Sequence, residues 1–223
     1  MNRLQQLLTE KQLLEDATAA RERGDYENAF RIFQSLAAQG NATAQFILGV
    51  MYTNGQGVAQ DYAEVVKWYR LAAAQGFASA QYFLGVAIAN GQGVPQDYAE
   101  AVKWYQLSAV QGVASAQFNL GRMYAKGQGI AQDYAEAVKW YRLAAAQGDV
   151  SAQFNLGVMY ANGQGVAQDF VFAHMWFNLV AVSGNVDAVK FRDMVENRMT
   201  PQQIAQAQNM AREFQLSNFK ECG

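Results

Sequence analysis

The apolar positions of this chain fall into a long, regular beat. Asn41–Gly76 (NATAQFILGVMYTNGQGVAQDYAEVVKWYRLAAAQG) shows one full cycle. In its first half, Ala44, Leu48 and Met51 fall on one helical stripe and Gln45, Gly49 and Tyr52 on the next, so the spacing predicts a helix over Ala42–Asn54. The loop Asn54-Gly55-Gln56-Gly57-Val58 follows. A second helix is expected from Asp61, with Val65, Trp68, Tyr69 and Ala72 inward. Glu64, Lys67 and Arg70 form a solvated face at helical pair spacing. This second half recurs every 36 residues, nearly letter for letter at Asp97–Gly112 and Asp133–Gly148 and more faintly at Asp25–Gly40 and Asp169–Gly184. A fixed period of this size marks stacked repeats, in which each unit buries its apolar stripe only against its neighbours.

The details carry further expectations. Gly49 returns as Gly85, Gly121 and Gly157. An interior helix glycine costs about 1 kcal/mol relative to alanine, and close approach of two helix backbones is the expected compensation. Asp61/Glu64, Asp97/Glu100 and Asp133/Glu136 read as capping boxes, and Gly76, Gly112 and Gly148 as helix stops. Trp68, Trp104, Trp140 and Trp176 mark the beat and read, with the tyrosines and methionines, as core. In the first copy Tyr26, Ala29, Phe33 and Ala37 point inward. Ile32 holds the tryptophan position there, so this end unit looks degenerate. Residues 1–24 read as a terminal cap covering the first repeat, or as a dimer or partner contact. A helix starts at Glu10 within Thr9-Glu10-Lys11-Gln12, leaving Leu4, Leu7 and Leu8 on a looser lead-in.

At the other end, Phe170-Val171-Phe172-Ala173-His174-Met175 replaces the charged pattern, giving a helix apolar all round that the tail should cover. Val186–Arg198 reads as a last first-type helix. Thr200-Pro201-Gln202-Gln203 starts another, with Ile204, Ala207, Met210, Ala211 and Phe214 as its stripe, and the last eight residues fray. The organisation is therefore one elongated domain: a capping helix pair over 1–40, four full repeats over 41–184, and a capping pair with tail over 185–223.

Composition adds little beyond exclusions. The 223 residues carry 17 basic and 19 acidic side chains with no basic run, which argues against nucleic acid. No apolar run approaches a membrane span. The start lacks an apolar leader and points to the cytoplasm; a chain that began after a removed leader would be periplasmic and read the same. The single cysteine, Cys222, forms no intrachain disulfide.

No constellation for catalysis stands out, so the chain reads as a non-enzyme with no cofactor and no metal. His174 is the one histidine; base or metal chemistry would need partners, its sequence neighbours are Ala173 and Met175, and it reads as a partly buried helix residue. The opposing class is a small-ligand binder or hydrolase using His174. The paired glycines follow a helix and lack a strand and a third glycine, unlike a phosphate loop. Ser217-Asn218-Phe219-Lys220 matches a bare S-x-x-K without its companion motifs.

The pattern Ala-x-Ala-Gln-Phe-x-Leu-Gly-x-Met-Tyr, then Gly-x-Gly-Val, then Asp-Tyr-x-x-Ala-x-x-Trp-Tyr-x-x-Ala-Ala-x-Gln-Gly resembles the Sel-like repeat family, relatives of tetratricopeptide repeats. The match is dense from Ala42 to Gly184 and recognisable from Asp25, and Met199–Gln208 looks like the end of bacterial members. The resemblance implies an all-α fold: a right-handed α/α solenoid of helix–loop–helix repeats. It implies an adaptor or scaffold that binds a protein or peptide, in signalling, envelope upkeep, host interaction or neutralisation of a secreted toxin. It brings no catalytic residues.

Positions that vary between units are the ones stacking does not fix. On the first helices this stripe reads Ile47 and Val50, then Phe83 and Val86, then Asn119, Arg122 and Lys126, then Asn155. By analogy with related solenoids the first helices line the concave side. The expected groove then has an apolar half and a polar, basic half, suited to a partner segment with an apolar anchor beside an acidic group. The alternative is that Ile47 and Phe83 merely pack between neighbouring first helices. A monomer is expected, with a weak dimer through the N-terminal helix left open.

Overall fold

A computed structural model describes residues 3–217, with side chains from residue 9 onward. Twelve α-helices and no strand occur among the described residues. The chain divides into two compact units, Met1–Ser108 and Ala109–Gly223. The first holds α1 (Arg3–Glu22), α2 (Tyr26–Ala38), α3 (Ala42–Asn54), α4 (Tyr62–Ala74), α5 (Ala78–Asn90) and α6 (Tyr98–Ala109). The second holds α7 (Ala114–Lys126), α8 (Tyr134–Ala145), α9 (Val150–Asn162), α10 (Phe170–Ala181), α11 (Val186–Glu196) and α12 (Pro201–Leu216).

Local chemistry explains the helix bounds. The Asp61 carboxylate accepts from the backbone N–H groups of Ala63 and Glu64, and Asp133 accepts from Glu136 N–H. These are N-caps rather than the reciprocal boxes expected. Glu64 and Glu136 instead pair with Lys67 and Lys139 one turn on, and Glu100 pairs with Arg70 at 2.8 Å. Thr200, with Gln203 reaching back, does make a full box. The first-type helices end on Gly55, Gly91, Gly127 and Gly163, whose φ values of 66–68° lie where a side chain is disfavoured. Past each loop, Gln60, Gln96, Gln132 and Gln168 donate to the carbonyls of Thr53, Ala89, Ala125 and Ala161 at 2.6–2.8 Å. Each repeat's loop is thus tied to the end of its own first helix.

The second glycine of the loop has a different task. A Cβ on Gly57 would sit 2.3 Å from Tyr26 O, and one on Gly93 2.0 Å from Tyr62 O. The loop therefore lies against the first turn of the preceding second-type helix, which accounts for the pair of glycines without any phosphate.

The buried ring in each repeat is the residue after the tryptophan. Trp68, Trp104 and Trp140 are half-buried, whereas Tyr69, Tyr105 and Tyr141 are 4%, 1% and 1% exposed. The fully buried Phe33 and Phe177 stand in the same 36-residue register. The first copy is therefore in step, with Phe33 in the tyrosine column, and Tyr26 is exposed rather than inward.

The recurrent helix glycine serves this ring. A Cβ on Gly85 would lie 2.8 Å from the Tyr105 ring, on Gly121 2.7 Å from Tyr141, and on Gly157 2.6 Å from Phe177. The gain expected from backbone approach is thus mainly a notch for an aromatic side chain. Carbonyl oxygens follow at 3.4 Å (Ala101) and 3.2 Å (Ala137).

Repeats are joined through amides. Gln45, Gln81, Gln117 and Gln153 are buried, and each donates to the carbonyl eight residues earlier, at Ala37, Ala73, Ala109 and Ala145, at 3.1–3.2 Å. Gln75 and Gln147 then donate to Gln45 and Gln117 at 2.8 Å. Each of the four carbonyls also accepts the N–H of the glycine three residues on, so the amide supplies a second donor from the next repeat and is itself satisfied on burial.

At the N-terminus α1 runs unbroken through Thr9–Gln12, so no helix starts at Glu10. Glu10 accepts from the Asn41 side chain at the start of α3. The side chains of Leu4, Leu7 and Leu8 lie outside the described ones, as do Cys222 and Asn218–Lys220. At the other end α12 does cover α10. Phe214 meets Trp176 edge to face at 5.1 Å, and Met175 and Leu179 become buried where Lys139 and Leu143 are exposed.

Gly121→Ala separates the ring notch from helix propensity. Propensity alone would stabilise the protein by about 1 kcal/mol. The notch predicts a loss of about 1–3 kcal/mol from overpacking against Tyr141, read as a lower urea midpoint at unchanged slope. A raised midpoint would remove the notch from the explanation.

Candidate functional site

The first-type helices carry the variable stripe, and each compact unit presents its own part of it. In Met1–Ser108, Val50 and Thr53 from α3, Tyr62, Val65 and Tyr69 from α4, and Phe83 and Val86 from α5 line a cleft of about 280 Å³. Phe83 is 41% exposed. Its ring centroid lies 5.8 Å from Phe46, 5.9 Å from Tyr69 and 5.0 Å from Tyr82. Packing therefore fixes the ring's position while part of its surface stays in water. Ile47, expected beside these residues, packs instead against the core formed by α1, α2 and α3.

In Ala109–Gly223 the predicted polar residues differ from one another. Asn119 is buried at 9% exposure. Asn155 turns back, its amide donating to Ser151 O at 2.7 Å on its own helix. Lys126 is exposed. Arg122 is half-buried, with Nε out of water and without a hydrogen-bond partner. Burial pushes the Tyr141 hydroxyl up to about 12, and the Arg122 charge lowers it in part. So Val50, Phe83 and Val86 share one cleft, Lys126 is available to a partner, Arg122 is partly so, and Asn119 and Asn155 are already occupied by their surroundings.

Carrying the register one unit past Asn155 reaches Phe191, and past Val158 and Asn162 it reaches Met194 and Arg198. These three belong to the same stripe and were not among the sequence candidates. Together with Val158, Phe170 and Phe177 they line a second cleft of about 280 Å³, within the second unit.

His174 is fully buried, and its Nε2 lies 2.7 Å from the Glu196 carboxylate, joining α10 to α11. A buried ring held by one carboxylate is a packing element and offers no open face to a substrate. No group of three His, Cys, Asp or Glu placed to hold a metal occurs among the described residues. No described helix is long and apolar enough to cross a membrane.

Helix hairpins in a strict 36-residue register define a helical-repeat protein. The chain belongs to the Sel1 repeat family, whose model matches residues 19–41, 42–77, 78–113, 114–149 and 150–181. Proteins of this family generally mediate protein–protein interaction on a scaffold fold. A Sel1 repeat protein from Oxalobacter formigenes is similar at 35% identity and TM-score 0.75, over 79% of this chain and 73% of that one. The protective antigen c5321 of uropathogenic Escherichia coli, which displays an SLR fold, is 45% identical with a TM-score of 0.69. That match covers 71% of this chain and 34% of the antigen, so the chain spans about a third of its length. A sel1 repeat protein from Klebsiella pneumoniae shares the fold at 24% identity and TM-score 0.51, over 84% and 93% of the two chains. No curated protein matches the sequence.

Alkaline titration should expose the buried tyrosine column. An unfolded tyrosine ionises near 10, whereas Tyr141 holds its proton to about 12. Below pH 10 this contribution to stability is complete. It is lost as pH rises from 10 to 12, by about 3 kcal/mol. Urea unfolding at stepped pH should show that decline, and Tyr141→Phe should flatten it relative to the parent; equal slopes would contradict the assignment.

Proposed function

We propose that the protein is a non-catalytic scaffold whose first-helix stripe binds an extended or helical segment of a partner protein. The observation that carries this reading is Phe83, an aromatic ring locked among Phe46, Tyr69 and Tyr82 yet 41% exposed beside an apolar cleft. Binding hot spots are of this kind: a rigid aromatic that a partner finishes desolvating. In the first unit an apolar anchor of the partner seats between Val50, Phe83 and Val86. In the second unit Arg122 and Lys126 favour acidic groups of the partner. The burial of Asn119 and the internal bond of Asn155 narrow the contact residues to Val50, Phe83, Val86, Arg122 and Lys126.

The test pairs affinity capture from the source organism with measured affinities for the purified partner. Phe83→Glu should weaken binding by about 30-fold or more, in keeping with a 2 kcal/mol hot spot. Arg122→Glu should weaken it by a smaller factor. Lys103→Glu, exposed on a second-type helix, should stay within about twofold. All three variants should keep the parent's helical circular dichroism. Equal losses at Phe83 and Lys103, or no loss at either, would remove the stripe as the contact surface.

A further inference from the structure

The second cleft repeats the first in shape but differs in chemistry. Val158 stands for Val50, Phe170 for Tyr62, Phe177 for Tyr69, Phe191 for Phe83 and Met194 for Val86, three repeats later. Replacing both tyrosines with phenylalanine removes two hydroxyls from the wall. Phe191 is 38% and Met194 54% exposed, and the Phe191 ring lies 5.4 Å from Phe154 and 5.5 Å from Phe177. A fixed aromatic thus again borders the cleft.

The rim is what distinguishes it. Arg198 occupies the register position of Asn90 and Asn162, and its guanidinium carbon sits 5.7 Å from the Phe170 ring centroid. Among the described residues no carboxylate lies within ion-pair distance of Arg198. Arg192, on the same helix as Phe191, is paired with Asp193 at 2.8 Å and Glu196 at 3.9 Å. One guanidinium, placed over a phenyl ring, is therefore left without a carboxylate partner at the edge of an apolar hollow. A guanidinium so held keeps its planar fork free for a carboxylate.

The hollow of about 280 Å³ is at the small end for a drug-sized ligand and suits an anchoring side chain. A single cation calls for a single carboxylate; a nucleic-acid backbone would be met by several cations. We propose that this cleft is a second binding site, for a partner segment that inserts one aliphatic or aromatic side chain beside Phe177, Phe191 and Met194. A carboxylate one or two positions away in that segment pairs with Arg198. The inference rests on the scaffold reading but uses none of the residues that test it.

The probe is a library of random linear peptides displayed on phage and selected on the full chain. Enriched peptides should share an apolar residue followed within one or two positions by Asp or Glu. The synthetic consensus should lose at least about tenfold in affinity to Met194→Glu, whose side chain is already exposed and so should be tolerated by the fold. Reselection on Arg198→Glu should turn the acidic position to Lys or Arg. Lys103→Glu, exposed on a second-type helix, should leave the consensus affinity within about twofold.

Enriched peptides without an acidic position, or with one that Arg198→Glu leaves unchanged, would overturn the assignment. So would peptides lost to Phe83→Glu and not to Met194→Glu, although the scaffold reading would then stand. If no peptide is enriched, this site is overturned while the partner measurements on Phe83 and Arg122 still judge the scaffold on their own.

Discussion

The structure depends on a ring seated in a notch. Gly85, Gly121 and Gly157 open a gap in a first-type helix, and Tyr105, Tyr141 and Phe177 fill it from the second-type helix of the same repeat. Neither half makes sense alone. An interior glycine weakens its helix by about 1 kcal/mol, and a large ring needs a wall that lets it leave water. Together they bury a side chain of the size that removes about 150–250 Å² from solvent. Because ring and glycine are both rigid, they fix the rotation of the two helices about their own axes. That rotation decides which residues face away, and so where the variable stripe can lie.

The stacking of one repeat on the next adds a polar requirement. Each second-type helix ends with carbonyls that no further turn can satisfy. A buried glutamine from the following first-type helix adds a second donor to a carbonyl that the terminal glycine N–H already meets, as Gln45 does for Ala37 and Gln153 for Ala145. An apolar residue there would remove the tie between repeats while the carbonyl kept its backbone N–H donor, a loss of about 1 kcal/mol. The Ala-Gln-Phe triplet is thus a joint. Its glutamine carries the contact between repeats while the flanking residues fill space, so this joint is nearly invariant from unit to unit, whereas the first-helix stripe varies, as do a few interior places such as Ala87 and Ile88.

Much of this was legible in the chain. The 36-residue period, the aspartate N-caps, the glycine stops and the Thr-Pro-Gln-Gln start of α12 are local signals, and each helix formed where they placed it. The choice between Trp68 and Tyr69 was not local. Adjacent residues differ by about 100° around a helix, so both fit a wide apolar stripe, and only the notch at Gly49 prefers the tyrosine. The same ambiguity set the tryptophan column on Ile32 and hid the alignment of Phe33. Arg122 read as part of the groove's basic half, yet its Nε is enclosed, because the aliphatic stem of an arginine can lie along apolar surface. Phe191, Met194 and Arg198 were missed for a simpler reason. The register ran one unit further than the conspicuous motif, and α11 keeps the positions while losing the letters.

The strongest argument for a binding role is a comparison made within the molecule. One column of the first-type helices holds Ile47, Phe83, Asn119, Asn155 and Phe191. Asparagine at two of these places shows that the hairpin accepts a small polar side chain there. The rings at Phe83 and Phe191 are therefore not required by the architecture. Their contacts with neighbouring rings are each worth about 0.5–1.5 kcal/mol, but 41% and 38% of their surfaces remain in water. Full burial would yield about 25 cal/mol for every further square ångström covered. The fold leaves that gain unused at the two places where a cleft opens beside the ring. A partner that covers either ring collects it without having to order the side chain first, because the surrounding aromatics have already done so.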